Sequence, residues 1–123
     1  MLSLDPSAQE SLGEQLRRGL RRAIAEGEVA RGELLPSVRQ LAADLGVNLN
    51  TVARAYRDLE REGLVKTARG RGTIVIADRA AEPLPRTDLR ARVRDLLADA
   101  TLAGYSASEI RRILLEEVER RME

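Results

Sequence analysis

The stretch SVRQLAADLGVNLNTVARAYRDLEREG, residues 37–63, contains two amphipathic helical patterns separated by a tight turn. Ser37 is a suitable N-cap for the first pattern, and Gly46 is a suitable end. The second pattern predicts a helix over residues 49–62. The apolar positions are Val38, Leu41, Ala42 and Leu45 in the first helix, and Val52, Ala55, Tyr56 and Leu59 in the second. Two short helices joined by a glycine-containing turn predict a helix-turn-helix.

A short basic hairpin is predicted directly after these helices. Residues 64–67 (LVKT) and 73–76 (TIVI) favour strands, and they flank the turn sequence ARGRG at 68–72. Between residues 63 and 77 the chain carries Lys66, Arg69 and Arg71 and no acidic residue. The predicted fold class is therefore mainly α with a small β wing, a winged helix-turn-helix.

A further helix is predicted before residue 37. Ser7 and Ser11 each offer a capping box, so the helix begins at one of them. Its apolar stripe is Leu12, Leu16, Leu20, Ala23 and Ile24. Four arginines lie off that stripe, either as a solvated face or as contacts to a DNA backbone; they are Arg17, Arg18, Arg21 and Arg22.

The rest of the chain predicts a linker and a helical hairpin. We expect the winged helix over 7–77, a linker over 78–86, and two helices over 87–123. Each of the two helices has few large apolar residues, so we expect a homodimer interface rather than an independent core. The alternative is that the hairpin packs on its own winged helix. The predicted dimer interface is Leu89, Val93, Leu96, Leu97, Ile110, Ile113, Leu114 and Val118.

The composition excludes several classes of function. The 123 residues include no Cys and no His, which removes disulfides, thiolate ligands and the commonest metal ligand and general base. The sequence contains no nucleophile–base pair or phosphate loop, no apolar run long enough for a membrane span and no signal peptide. We therefore expect a cytoplasmic protein that is not an enzyme and that needs no cofactor or metal.

The outer face of the helix over 49–62 is typical of a DNA recognition helix. Asn50, Arg54, Arg57 and Arg61 share one face at helical spacing, and the first turn, with Asn48 and Thr51, is polar and uncharged. A side-chain amide can pair with adenine in the major groove, and arginines further along meet phosphates. The alternative role for Asn48 or Asn50 is that of the helix N-cap.

Arginines outside that helix are further candidates. Arg39 lies near a helix start, where a positive charge opposes the helix dipole, so a purely structural role is less favourable. Arg69 and Arg71 flank Gly70 in the wing. They either sit in a turn that requires glycine and tolerates arginine, or place a guanidinium in the minor groove.

The sequence resembles the GntR family of bacterial repressors. The resemblance rests on the motifs LPS-x-R-x-LA (35–42), LGVN-x-NTV (45–52), AY-x-x-LE-x-EGLV (55–65) and G-x-GT (70–73). The asparagine-containing turn and the short helical tail are similar to its YtrA-like subfamily. This resemblance implies operator contacts by Arg39, the turn at 48–51 and the wing, a dimer formed by the tail, and repression, often of transporter operons. The predicted DNA-contacting residues are Ser37, Arg39, Asn48, Asn50, Thr51, Arg54, Arg57, Arg69, Gly70 and Arg71.

One position departs from the family pattern. Many members carry arginine at the position of Leu49, where it reads a guanine, and YtrA-like members usually carry proline.

The predicted function is a regulator that binds a palindromic duplex operator as a homodimer, with half-sites about 10 bp, or a multiple of that, apart. The alternative is a winged-helix module that binds proteins. No effector class can be read from the sequence.

Overall fold

The computed structural model describes residues 2–78 and 83–122. The chain divides into two compact units, Met1–Arg79 and Ala80–Glu123. In chain order the elements are α1 (Leu12–Ala25), α2 (Val38–Leu45), α3 (Leu49–Arg61), β1 (Val65–Ala68), β2 (Gly72–Val75), α4 (Arg86–Leu102) and α5 (Ala107–Met122). The winged helix-turn-helix and the C-terminal helical hairpin predicted from the sequence are both confirmed.

The first unit has one apolar core centred on α3. Leu16 and Leu20 of α1 are completely buried in the same cluster as Val52 and Leu59 of α3. Both α1 and α2 pack against α3. Burial of one such side chain contributes about 1.5–3 kcal/mol. The core therefore holds α3 in place while leaving its outer face in solvent.

Polar residues set the ends of the helices as predicted. Of the two possible starts for α1, the structure uses Ser11, whose Oγ accepts the Glu14 N–H at 3.2 Å. The Oγ of Ser37 accepts the Gln40 N–H at 3.1 Å at the start of α2. Gly46 ends α2 with φ 66°, a left-handed conformation that glycine adopts without strain. The chain can therefore turn directly into α3.

The wing is an antiparallel hairpin with a third segment at its base. β1 and β2 pair from Val65↔Val75 to Ala68↔Gly72. The Leu35 N–H donates to the Thr73 carbonyl at 2.8 Å, and the Val75 N–H donates to the Glu33 carbonyl at 2.9 Å. No strand is predicted from the sequence at residues 33–35. Pairing over so few residues leaves no periodic signal in the sequence.

The second unit consists of α4 and α5, which contact each other. A capping box starts α5. The Glu109 N–H donates to Ser106 Oγ at 3.2 Å, and the Ser106 N–H donates to Glu109 Oε1 at 3.2 Å. Hydrogen bonds from Ser106 lower the pKa of the Glu109 carboxyl. Part of the predicted linker, residues 79–82, lies outside the described residues, and Arg86 already belongs to α4.

No helix within the described ranges has both the length and the apolar character needed to cross a membrane.

Candidate DNA-binding surface

The two asparagines at the start of α3 have different environments. Asn48 is the N-cap, and its Oδ1 accepts the Asn50 N–H at 2.8 Å. The Asn50 side chain is exposed and has no hydrogen-bond partner within residues 2–78 and 83–122. Of the two roles left open by the sequence, capping belongs to Asn48. The amide of Asn50 is available to a ligand.

The predicted recognition face of α3 carries two arginines that no described residue neutralises. Arg54 and Arg57 are exposed, and neither forms an ion pair with another described residue. Arg61, at the end of the helix, pairs with Asp58 at 3.2 Å. Thr51 is half-buried beside Asn50. The leading half of this face therefore presents an amide, a hydroxyl and unpaired guanidinium groups.

Three of the α1 arginines are engaged within the protein. Arg17 pairs with Glu14 at 2.9 Å and with Glu62 at 3.4 Å, and Arg21 pairs with Glu62 at 2.8 Å. Arg18 pairs with Glu10 at 2.7 Å. The hydrogen bond from Arg17 lowers the pKa of the Glu14 carboxyl and raises that of its own guanidinium. This pairing favours a structural role for these three arginines over DNA contact, whereas Arg22 is exposed and has no ion pair among the described residues.

Arg39 and Ser37 lie at the start of α2. Both are exposed, and Ser37 Oγ is engaged as the helix cap. Asp44 accepts a hydrogen bond from Gln40 Nε2 at 2.8 Å. Arg39 has no carboxylate partner in the described part of the chain. Its positive charge is left for solvent or a ligand.

The tip of the wing carries Arg69, Gly70 and Arg71, all exposed. The Arg71 N–H donates to the Ala68 carbonyl at 2.9 Å, and Gly70 has φ 76°. The turn therefore requires glycine. This agrees with the interpretation that the sequence here forms a turn that tolerates arginine on either side; the alternative was a guanidinium placed in the minor groove. The other remains compatible with it, since neither arginine is paired within the described ranges.

A carboxylate of α3 fixes the wing, and sequence reasoning missed it. Glu60 accepts the Thr67 hydroxyl at 3.0 Å and the Thr67 N–H at 3.3 Å. Thr67 belongs to β1, so this contact sets the position of the hairpin relative to the recognition helix. A glutamate on a solvated helix face gives no local sequence signal for such a contact.

The second unit presents an exposed apolar surface. On α4, Leu89, Val93 and Leu96 are exposed, and on α5 so are Ile113 and Val118. Leu97 and Leu114 are half-buried, whereas Ile110 is only 7% exposed and offers a partner little area. Further exposed apolar residues that the sequence analysis did not include are Leu102, Tyr105 and Leu115. These exposed side chains are available to a partner, and the interface that the sequence predicts for them stays a prediction.

Comparison with known proteins identifies the family. Residues 12–75 match the family described as bacterial regulatory proteins, gntR family. The HTH-type transcriptional repressor YtrA of Bacillus subtilis is 35% identical over 113 residues, which is 89% of this chain and 86% of that protein. The HTH-type transcriptional regulator Rv1152 of Mycobacterium tuberculosis is 47% identical over 75 residues, or 60% of this chain and 61% of that protein.

Solved structures share the fold. YtrA from Sulfolobus acidocaldarius, a GntR-family transcription factor, is 32% identical with a TM-score of 0.62, over 79% of this chain and 97% of that one. A transcriptional antiterminator from Listeria monocytogenes is 26% identical with a TM-score of 0.79, over 100% of this chain and 93% of that one. The chain therefore belongs to the GntR family of bacterial regulatory proteins, as a transcriptional regulator similar to YtrA.

Proposed function

We propose that this chain is a repressor that binds a specific operator with α3 in the major groove and the wing beside it. The observation that carries the proposal is the contrast between two sets of arginines. Arg17, Arg18 and Arg21 of α1 are neutralised by carboxylates, whereas Arg54 and Arg57 of α3 are exposed and unpaired within the described residues. Unpaired cations on one face are the electrostatic footprint of a phosphate-binding surface.

Different residues of the surface suit base recognition and phosphate binding. The free amide of Asn50 suits adenine N6 and N7, which offer one donor and one acceptor in the major groove. Arg54, Arg57 and Arg39 suit phosphates, which fix register and carry no base information. Arg69 or Arg71 suits the narrow minor groove beside Gly70.

We also propose that two copies associate through the second unit. The exposed apolar residues of α4 and α5 would be covered by the same residues of a second copy in a two-fold dimer. Two recognition helices then meet two half-sites separated by about 10 bp or a multiple. A bound dimer would block transcription physically, in the bacterial cytoplasm where the operator lies, with no catalytic step and no cofactor.

Selection of bound fragments from a random duplex library tests this function. We expect a recovered motif with two inverted half-sites. We also expect the logarithm of the binding constant to fall linearly with the logarithm of the salt concentration. Recovery of a single half-site would contradict the dimeric arrangement. Failure to bind any duplex at low salt would overturn the function and favour a protein-binding winged helix.

A further inference from the structure

Glu60 lies in the last turn of α3, where helix stability gives no reason for a negative charge. A carboxylate near the C-terminus of a helix opposes the helix dipole. Glu60 is exposed, and no described cation forms an ion pair with it, including Arg57 three residues earlier. Its hydrogen bonds go instead to Thr67 of β1. The role of this carboxylate therefore lies in the wing.

The wing hairpin is held along both of its outer edges. On the β2 side, the Leu35 N–H donates to the Thr73 carbonyl at 2.8 Å. On the β1 side, Thr67 donates to Glu60 twice, from its hydroxyl at 3.0 Å and from its N–H at 3.3 Å. Thr67 and Thr73 are cross-strand partners, so both contacts lie at the same level of the hairpin. Because a two-stranded hairpin alone is marginally stable in water, these edge contacts help to fix the orientation of the wing.

The contact with Glu60 lies close to the tip of the wing. Beyond Thr67, one cross-strand pair, Ala68↔Gly72, remains before the turn that carries Arg69 and Arg71. At about 3.3 Å per residue, Arg69 follows Thr67 by about 7 Å of chain. A shift of Thr67 relative to α3 would therefore displace both arginines.

We infer that Glu60 is a positioning residue for DNA binding, which through Thr67 holds the wing at the angle to α3 at which both elements meet one duplex. This inference rests on the proposed DNA binding and adds the device that couples its two contact elements. A carboxylate repels phosphates, so the direct effect of Glu60 on DNA affinity is unfavourable. Its benefit comes from ordering the wing before binding, since a pre-ordered element loses less conformational freedom in the complex.

Two substitutions of Glu60 separate the effect of its charge from the effect of its contact. Glu60→Gln removes the charge but keeps an oxygen and a donor that can bond Thr67, so the affinity for the selected operator should equal or exceed that of wild type. Glu60→Ala also removes the contact and should weaken operator binding about three- to tenfold for each half-site, as expected for about one net hydrogen bond. Gel-shift titration at one salt concentration measures both. If only charge mattered, both variants would bind more tightly than wild type.

The other side of the contact offers a matched pair of variants. Thr67→Val keeps the shape of the side chain and removes the hydroxyl, so it should weaken operator binding by a smaller factor than Glu60→Ala. Thr67→Ser restores a hydroxyl and should bind nearly as well as wild type. The Thr73 hydroxyl has no hydrogen-bond partner in the described ranges, so Thr73→Val should bind like wild type.

Coupling to the wing arginines distinguishes positioning from a general loss of stability. Replacement of Arg69 and Arg71 together by alanine should reduce the affinity of wild type by a larger factor than that of Glu60→Ala, whose wing is already displaced. Equal factors in both backgrounds, or binding by Glu60→Ala as tight as by Glu60→Gln, would show that Glu60 does not position the wing, and DNA binding would still stand. If the wild type binds no duplex at low salt, the proposed function itself fails.

Discussion

Asn48 and Asn50 are two residues apart, and their hydrogen bonds separate a structural role from a binding role. The Oδ1 of Asn48 accepts the Asn50 N–H at 2.8 Å, whereas the Asn50 side chain is exposed. Sequence alone left both residues as candidates for both roles. The choice depends on which residue precedes the first helical turn, and pattern reading places helix ends only to within one or two residues.

The Asn50→Ala substitution should therefore reduce specificity without loss of stability. A bidentate amide–adenine contact contributes about 1–3 kcal/mol of discrimination, so the affinity for the selected operator should fall about 5- to 150-fold for each half-site that the proposed dimer contacts. Binding to a scrambled duplex should change little. Gel-shift titration of both duplexes measures the two effects, and equal losses on both would show that Asn50 reads no base.

Asn48→Ala is the matched comparison. It removes the cap of α3, which should lower the free energy of unfolding by about 0.5–2 kcal/mol. The loss should be visible in urea unfolding, where Asn50→Ala should be indistinguishable from wild type.

Tyr56 predicts a pH dependence of stability. Its hydroxyl donates to the Pro36 carbonyl at 2.6 Å, and burial raises the pKa of the phenol to about 12. The ordinary value in the unfolded chain is about 10. The unfolded state therefore loses this proton first. The stabilisation is complete below about pH 10 and is lost as the pH rises towards about 12.

Tyr56→Phe should be less stable than wild type by about 1 kcal/mol at neutral pH, because the Pro36 carbonyl loses its donor. Between about pH 10 and 12 the wild type should lose this advantage, so that the difference in unfolding free energy disappears and then changes sign. Urea titrations at neutral and alkaline pH provide the measurement. If the difference in unfolding free energy between wild type and Tyr56→Phe stayed constant over the whole pH range, Tyr56 would not be the cause of the loss of stability at high pH.

At the level of elements, carboxylates at the end of α3 connect it to its neighbours. Glu62, just after α3, accepts from Arg17 and Arg21 of α1, and Glu60 binds Thr67 of the wing. The apolar stripes and caps of α1, α2 and α3 follow local spacing, so the sequence predicted them. The contacts of Glu62 join residues more than 40 positions apart in the chain, and the Glu60–Thr67 contact spans the turn between α3 and β1. Local spacing therefore does not predict them.

The Glu62→Gln substitution tests the connection between α1 and α3. Exposed ion pairs contribute up to about 1 kcal/mol each, and we expect a loss of about 0.5–1 kcal/mol in the free energy of unfolding. Glu10→Gln removes the charge from one ion pair, with Arg18, so it should lower the free energy of unfolding by less than Glu62→Gln does. Operator affinity should stay within about twofold of wild type in both variants. A large loss of affinity in Glu62→Gln would instead show that the pairs control the recognition surface.

At the level of the whole molecule, α4 and α5 of the second unit expose several large apolar side chains, among them Leu89, Leu96 and Val118. The sequence predicted both helices and most of the exposed residues on them. Ile110 was predicted at the interface, but the structure buries it. Helical periodicity identifies an apolar face and cannot tell which of its residues are covered within one chain and which are left for a partner.

The Leu96→Asp substitution should therefore prevent the proposed dimer from forming. Burial of an aspartate against a second apolar face is costly, since its charge has no partner there. Arg94→Asp, about 160° around α4 from Leu96, is the control and should remain dimeric. Sedimentation at tens of micromolar should give twice the 13.6 kDa chain mass for wild type and the control, and the single mass for Leu96→Asp. A wild-type monomer would contradict the proposed assembly.

The salt dependence of operator binding by two arginine variants tests the proposed function most directly. Arg57 of α3 is unpaired within the described residues, and Arg18 of α1 is paired with Glu10 at 2.7 Å. Because the proposed dimer carries Arg57 twice, Arg57→Ala should reduce the steepness of log affinity against log salt by about 2, the effect of losing one phosphate contact in each half-site. Arg18→Ala should keep the wild-type slope. An unchanged slope in Arg57→Ala, or an equal decrease in both variants, would contradict DNA recognition by the exposed face of α3.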